Sequence, residues 1–116
     1  MNWIPLNTLE QLDELALASN ENPVLIFKHS TSCSISRTVL DRLQRNYKPE
    51  EISGAKTYFL DLLAFRNISS SIAQKFEVEH QSPQAILLKN GKAVYAASHF
   101  EIDYRKIREV SSKAQN

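Results

Sequence analysis

Three short strand-like runs, Val24-Leu25-Ile26-Phe27, Thr57-Tyr58-Phe59-Leu60-Asp61-Leu62 and Ala85-Ile86-Leu87-Leu88, alternate with stretches whose apolar residues return at helical spacing. This alternation constrains the fold more than any other feature of the chain. Continuous apolar runs bounded by turn residues read as strands covered on both faces. Strands separated by helices need crossover connections, so the core pairing is mostly parallel.

The helical stretches follow from the same pattern. Thr8 and Gln11 have capping-box spacing, and Leu9, Leu12, Leu15, Ala16 and Ser19 form one face of a first helix. The cluster Asn20-Glu21-Asn22-Pro23 ends it. Ile35, Val39, Leu40, Leu43 and Tyr47 mark a second helix, closed between Asn46 and Gly54. Asn67 is placed to cap a third, with Ile68, Ile72, Ala73 and Phe76 facing inward. Asp103 is placed to cap a fourth, with Tyr104, Ile107, Val110 and Ala114 as its apolar face.

Asn90-Gly91 stands between Ala85–Leu88 and Ala93-Val94-Tyr95-Ala96. That dipeptide signals a two-residue hairpin, because both turn residues must adopt positive φ. A further short strand is expected at Trp3-Ile4. The expected architecture is α/β, a mixed sheet of four or five strands with helices on both faces. The length of 116 residues fits one domain, residues 1–116.

Composition matters mainly for what it excludes. With 42% apolar and 23% charged residues, the chain can bury a core without metal or disulfide. A net charge of +1 with scattered Lys and Arg points to no nucleic acid and no membrane surface as partner. No apolar run approaches the ~18 residues of a membrane span, and Met1-Asn2-Trp3-Ile4-Pro5 has no signal-peptide character. The expected compartment is the cytoplasm, where a thiol stays reduced.

That compartment bears on Cys33, the one cysteine of the chain, in His29-Ser30-Thr31-Ser32-Cys33-Ser34-Ile35-Ser36. No internal disulfide can form. A lone cysteine is often a small buried hydrophobe. The five hydroxyl residues around Cys33 argue against core, and the segment sits at a strand-to-helix switch, where α/β sheets place ligand sites. Free N–H groups and the positive dipole end at a helix N-terminus stabilise an anion there. Such placement lowers a thiol pKa from ~8.5 toward ~3.5–7.5, and the thiolate is the nucleophile in disulfide exchange.

Ser36, three residues on, stands where Cys-x-x-Cys oxidoreductases carry a resolving thiol. Its hydroxyl could donate to the Cys33 sulfur or serve only the first helical turn. Arg37, four residues after Cys33, shares its helical face. It could favour the thiolate, hold a ligand carboxylate, or be a solvated surface residue. Lys28 and His29 end the preceding strand, and His29 could take the thiol proton or be structural. His80 and His99 lack metal-ligand spacing, so no metal is expected.

The strand, the Cys33-x-x-Ser36 turn and its helix, Ser82-Pro83 before a strand, and the hairpin Leu88-Lys89-Asn90-Gly91-Lys92 together resemble the thioredoxin fold. More narrowly, Phe27 to Arg37 resembles the monothiol bacilliredoxin family, the YtxJ-like bacillithiol-system proteins. The family motif is T-x-C-P-I-S, and this chain has Thr31-Ser32-Cys33-Ser34-Ile35-Ser36. Ser34 replaces the family proline and restores a helix N–H. The resemblance spans nearly the whole chain.

It implies a monothiol thiol-disulfide oxidoreductase with Cys33 as nucleophile and Ser36 at the second catalytic position. Thr31, Ser34 and Arg37 would meet substrate, and Gln81, Ser82 and a cis Pro83 would dock its backbone. No cofactor would be bound. A low-molecular-weight thiol such as bacillithiol would be co-substrate, its carboxylates suiting Arg37 or Lys28. Partners would be S-thiolated client proteins and a recycling reductase. Two other readings stay open: a thioredoxin-like binding module or redox sensor working through a Cys33–Cys33 dimer, and a monothiol glutaredoxin bridging an iron–sulfur cluster.

Overall fold

The computed structural model describes residues 1–52 and 54–113. Its elements are β1 (Trp3–Pro5), α1 (Glu10–Ala18), β2 (Val24–His29), α2 (Ser34–Asn46), β3 (Lys56–Asp61), α3 (Arg66–Lys75), β4 (Gln84–Lys89), β5 (Lys92–Ser98) and α4 (Tyr104–Ser112). Short 3-10 turns occupy Pro49–Glu51 and His99–Glu101. The five strands form one sheet in the order β1-β3-β2-β4-β5. β1, β3 and β2 run parallel, and β4 and β5 add antiparallel pairs.

Two apolar layers hold the helices to the sheet. On one face Leu12 and Leu15 of α1, Ile68 and Ile72 of α3 and Phe76 just past its end pack on Ile26, Leu60 and Ile86. On the other, Val39 and Leu43 of α2 and Ile107 of α4 pack on Leu25, Phe27 and Leu87. β2 and β4 are buried along their whole length, so both faces of the central strands are core. At the β1 edge Trp3 lies against Phe27 and Phe59, with ring centroids 6.1 and 5.7 Å away. Its indole N–H donates to Gln44 Oε1 of α2 at 2.8 Å.

The hairpin matches its signal. Asn90 and Gly91 have φ of 55° and 75°, between Lys89 and Lys92, which pair across the turn. The turn is also tied to α1: Ser19 O accepts from Asn90 N at 2.8 Å, and Ser19 Oγ from Gly91 N at 2.7 Å. Lys89 is buried, and its ammonium donates to the carbonyls of Val110, Ser111 and Lys113 at 3.5, 3.2 and 2.8 Å. It caps the negative end of α4. At the other end of α4, Asp103 Oδ1 accepts from Arg105 N at 3.0 Å, the expected cap. Ala114, assigned to this helix from its spacing, lies outside the described residues.

Two local expectations are corrected. α1 begins at Glu10 with no side-chain cap. Gln11 Oε1 accepts from the N–H groups of Asn7 and Thr8 at 2.7 and 2.9 Å, while Thr8 Oγ1 donates to Gln11 instead of closing a reciprocal box. Leu9 therefore precedes the helix and is 47% exposed. α3 starts at Arg66, so Asn67 lies inside the first turn and caps nothing. As expected, Lys28 and His29 end β2, two residues past its apolar stretch. These polar side chains are buried on opposite faces, where hydrogen bonds replace water.

Candidate active site

Register brings the chemistry to one end of the sheet. β2 and β3 are parallel, β4 is antiparallel to β2, and β5 is antiparallel to β4. The carboxyl ends of β2, β3 and β5 and the start of β4 therefore share an edge. The segments there are the Cys33 turn, the loop Leu62–Phe65, the loop leading to Pro83 and the His99–Glu101 turn.

Cys33 is half-buried at the N-cap of α2, with extended φ and ψ of −114° and 116°. Its N–H donates to Ser30 O at 3.2 Å, and its carbonyl accepts from Ser36 N at 3.1 Å. Thr31, Ser32 and Ser34 around it are exposed, as is Arg37 one turn further on. The thiol thus stands among the unpaired N–H groups of a helix start, reachable from solvent.

Ser36 is fully buried. Its Oγ accepts from Ser30 N at 3.1 Å and pairs with His29 Nδ1 at 2.7 Å. The tautomer of His29 decides which of the two donates, since the hydroxyl has one proton and two lone pairs. Burial holds the His29 pKa below the ordinary histidine value, the Arg37 charge adds to this, and Asp61 and Asp41 oppose it. Of the two readings open for Ser36, the contacts favour the structural one, for its Oγ meets His29 and Ser30 and no hydrogen bond to the Cys33 sulfur is found among the described residues. Its hydroxyl joins the end of β2 to the first turn of α2 and fixes the loop that carries the thiol.

The Ser82–Pro83 peptide is cis. Gln84 pairs with Lys28 across β2 and β4, so Pro83 stands level with His29, beside the end that leads to Cys33. Pro83 O accepts from His99 N at 3.0 Å. Gln81 and Ser82 are half-buried, and Ser82 Oγ is enclosed with no hydrogen-bond partner. Gln84 Oε1 and Asp61 Oδ1 are enclosed and unpartnered in the same way.

Of the residues named from sequence, the fold gathers Thr31, Cys33, Ser34 and Arg37 at the start of α2 and Gln81, Ser82 and Pro83 at the start of β4. Lys28 is excluded from any ligand role at the surface, being 0% exposed and turned to the face opposite His29. Its Nζ lies 3.3 Å from His80 Nδ1, and Ser69 Oγ lies 3.2 Å from the same nitrogen. Sequence reading missed this cluster, and it missed Leu63 and Phe100, which are 40% and 57% exposed on loops at this edge. A pairing across 52 residues, such as Lys28 with His80, leaves no local pattern.

A mixed sheet with a cysteine at the start of its second helix and a cis X-Pro opening the antiparallel strand defines the thioredoxin-fold class. The sequence model described as Monothiol bacilliredoxin BrxC matches residues 4–107. The chain belongs to that family, one of thiol oxidoreductases. A solved structure described as "a putative oxidoreductase with a thioredoxin fold" is 27% identical, with 92% of this chain and 91% of that one covered and a TM-score of 0.77. Fasciola hepatica thioredoxin shares the fold at 19% identity over 93% of this chain and 95% of that one, TM-score 0.67. Spinach chloroplast thioredoxin f does so at 15% identity over 93% and 82%, TM-score 0.68. Among the described residues, no helix is long and apolar enough to cross a membrane.

Proposed function

We propose that the protein reduces mixed disulfides between client proteins and a low-molecular-weight thiol such as bacillithiol, through Cys33 alone. The observation that carries this reading is the contrast within Cys33-x-x-Ser36. The first position is a reachable thiol at a helix start, and the second is a buried hydroxyl already committed to His29 and Ser30. A second sulfur must then come from the substrate.

In the proposed cycle the Cys33 thiolate attacks the small-thiol sulfur of the mixed disulfide. That S–S bond breaks, the client thiolate leaves and takes a proton, and a Cys33–small-thiol disulfide forms. A second small-thiol thiolate attacks this disulfide, releases the oxidised small-molecule dimer and restores Cys33. The two electrons come from the small thiol, and a separate reductase recycles its dimer. Arg37, exposed one turn past Cys33, suits a carboxylate of that thiol. Gln81, Ser82 and cis Pro83 are proposed to dock the client backbone. Exposed Leu63 and Phe100 supply apolar surface for a protein partner rather than for a small polar thiol alone.

The test is intact mass spectrometry after exposure to the disulfides of bacillithiol, glutathione and coenzyme A, followed by turnover of an S-thiolated protein. One adduct on Cys33, fastest with one small thiol and then released by that thiol, is expected. Absence of any adduct, or a Cys33–Cys33 dimer in its place, would overturn the reading.

A further inference from the structure

Behind the Pro83 loop, with no part in the cycle above, the exposed His80 closes over two buried polar side chains, Lys28 and Ser69. Lys28 is 0% exposed, and among the described residues it has no carboxylate partner. An ammonium out of water and without a counter-charge is costly to hold, and its four predecessors in β2 are apolar. Its hydrogen-bond partner among the described residues is His80 Nδ1, at 3.3 Å. A lysine ammonium only donates, so Nδ1 must offer a lone pair and His80 must be neutral. Ser69 Oγ of α3 reaches the same nitrogen at 3.2 Å.

The connectivity gives this cluster a purpose. Lys28 directly precedes His29, which holds Ser36 and with it the Cys33 turn. His80 lies three residues before Pro83. Gln84, which faces Lys28 across the β2–β4 register, closes the same loop from its far end by donating from Nε2 to Glu79 O at 3.0 Å. One hydrogen bond, from a buried lysine to an exposed histidine, therefore links the two segments between which a client backbone would dock.

We propose that Lys28 and His80 are positioning residues, whose hydrogen bond sets the Pro83 loop against the Cys33 turn and opens when His80 is protonated. This rests on the function proposed above. Protonation of His80 would remove the acceptor and set an imidazolium against the Lys28 ammonium, with the Arg66 guanidinium of α3 as the further charge acting on His80. Burial, Lys28 and Arg66 all hold the His80 pKa below the ordinary histidine value, so the bond is intact at neutral pH and lost on acidification.

Two measurements test this. By proton NMR, the titration midpoint of His80 should move up in Lys28→Met, since the facing charge is gone. An unmoved midpoint would overturn the proposal whatever the enzyme does. In steady-state reduction of an S-thiolated protein, His80→Leu should raise KM roughly fivefold with a much smaller change in kcat. His80→Asn, whose Oδ1 accepts in place of Nδ1, should keep the wild-type KM and lose the part of the acid limb that follows the His80 midpoint. Equal KM in His80→Leu and wild type, or an acid limb unchanged in His80→Asn, would overturn the positioning role. A wild-type protein with no Cys33-dependent turnover would instead refute the function proposed above, and the NMR arm would still decide the Lys28–His80 bond.

Discussion

The two ends of β4 each have a buried lysine beside them, and the two are held in opposite ways. Lys89, at the hairpin end, gives its three protons to three carbonyls at the close of α4. Lys28, across from Gln84 at the Pro83 end, reaches one imidazole, with the oxygen of Gln84 enclosed and unpartnered on the same face of the register. Polar satisfaction is complete where the lysine serves the fold. It is incomplete where the loops of the candidate active site meet. The incomplete satisfaction at the Pro83 end accords with the positioning role proposed for Lys28.

The largest expected effect lies wholly at the Pro83 end. Cys33→Ser should reduce turnover of an S-thiolated protein about 10³-fold or more, with the urea midpoint unchanged. Turnover retained by that variant would separate the thiol from the function and remove the basis of the comparison.

The same substitution at the two lysines then measures the contrast in stability. Lys89→Met leaves the last carbonyls of α4 without their charged donor and should cost about 2 kcal/mol in urea unfolding. Lys28→Met replaces an ammonium that has one neutral partner, and should change stability at pH 7 by less than ~1 kcal/mol or raise it. Equal losses at the two positions would erase the distinction drawn here.

The pH dependence sharpens it further. Burial lowers the Lys28 pKa from 10.5 to about 8. Between those values the unfolded chain holds a proton that the folded chain has released. Folding stability should therefore rise as pH climbs from about 8 to 10.5, a contribution of ~3 kcal/mol. Lys28→Met should lack this rise, which isolates it from tyrosines titrating in the same range. An identical wild-type and variant slope in chemical denaturation would count against a buried ammonium.

The smallest expected effect concerns the exposed apolar surface. Phe100→Ser should leave stability within about 0.5 kcal/mol and raise KM for a protein substrate a few-fold, with small disulfides reacting as before. An unchanged KM would show that the client does not touch this turn.

Much of the fold was legible because its central strands are buried on both faces, which writes them as continuous apolar runs such as Val24–Phe27 and Ala85–Leu88. The Asn90-Gly91 hairpin and the Asp103 cap were legible because their physics is local. Asn67 failed as a cap because several residues can begin a helix, and the chain enters α3 from Phe65. Cys33 and Ser82-Pro83 stood out by their neighbours. The role of Ser36 did not, since its partner His29 ends the previous strand and the bond exists only once strand and helix are packed. Lys28 looked like a surface cation at a strand end, and only the tertiary fold pairs it with His80.

The ring contacts of Trp3 have a practical consequence. Trp3 is the one tryptophan of the chain. It packs on Phe59, whose ring centroid lies 5.4 Å from that of His29, the partner of Ser36 beneath the Cys33 turn. The protein thus carries a native fluorophore two ring contacts from its thiol loop. Its emission offers a label-free signal for stopped-flow measurement as Cys33 gains and loses its disulfide.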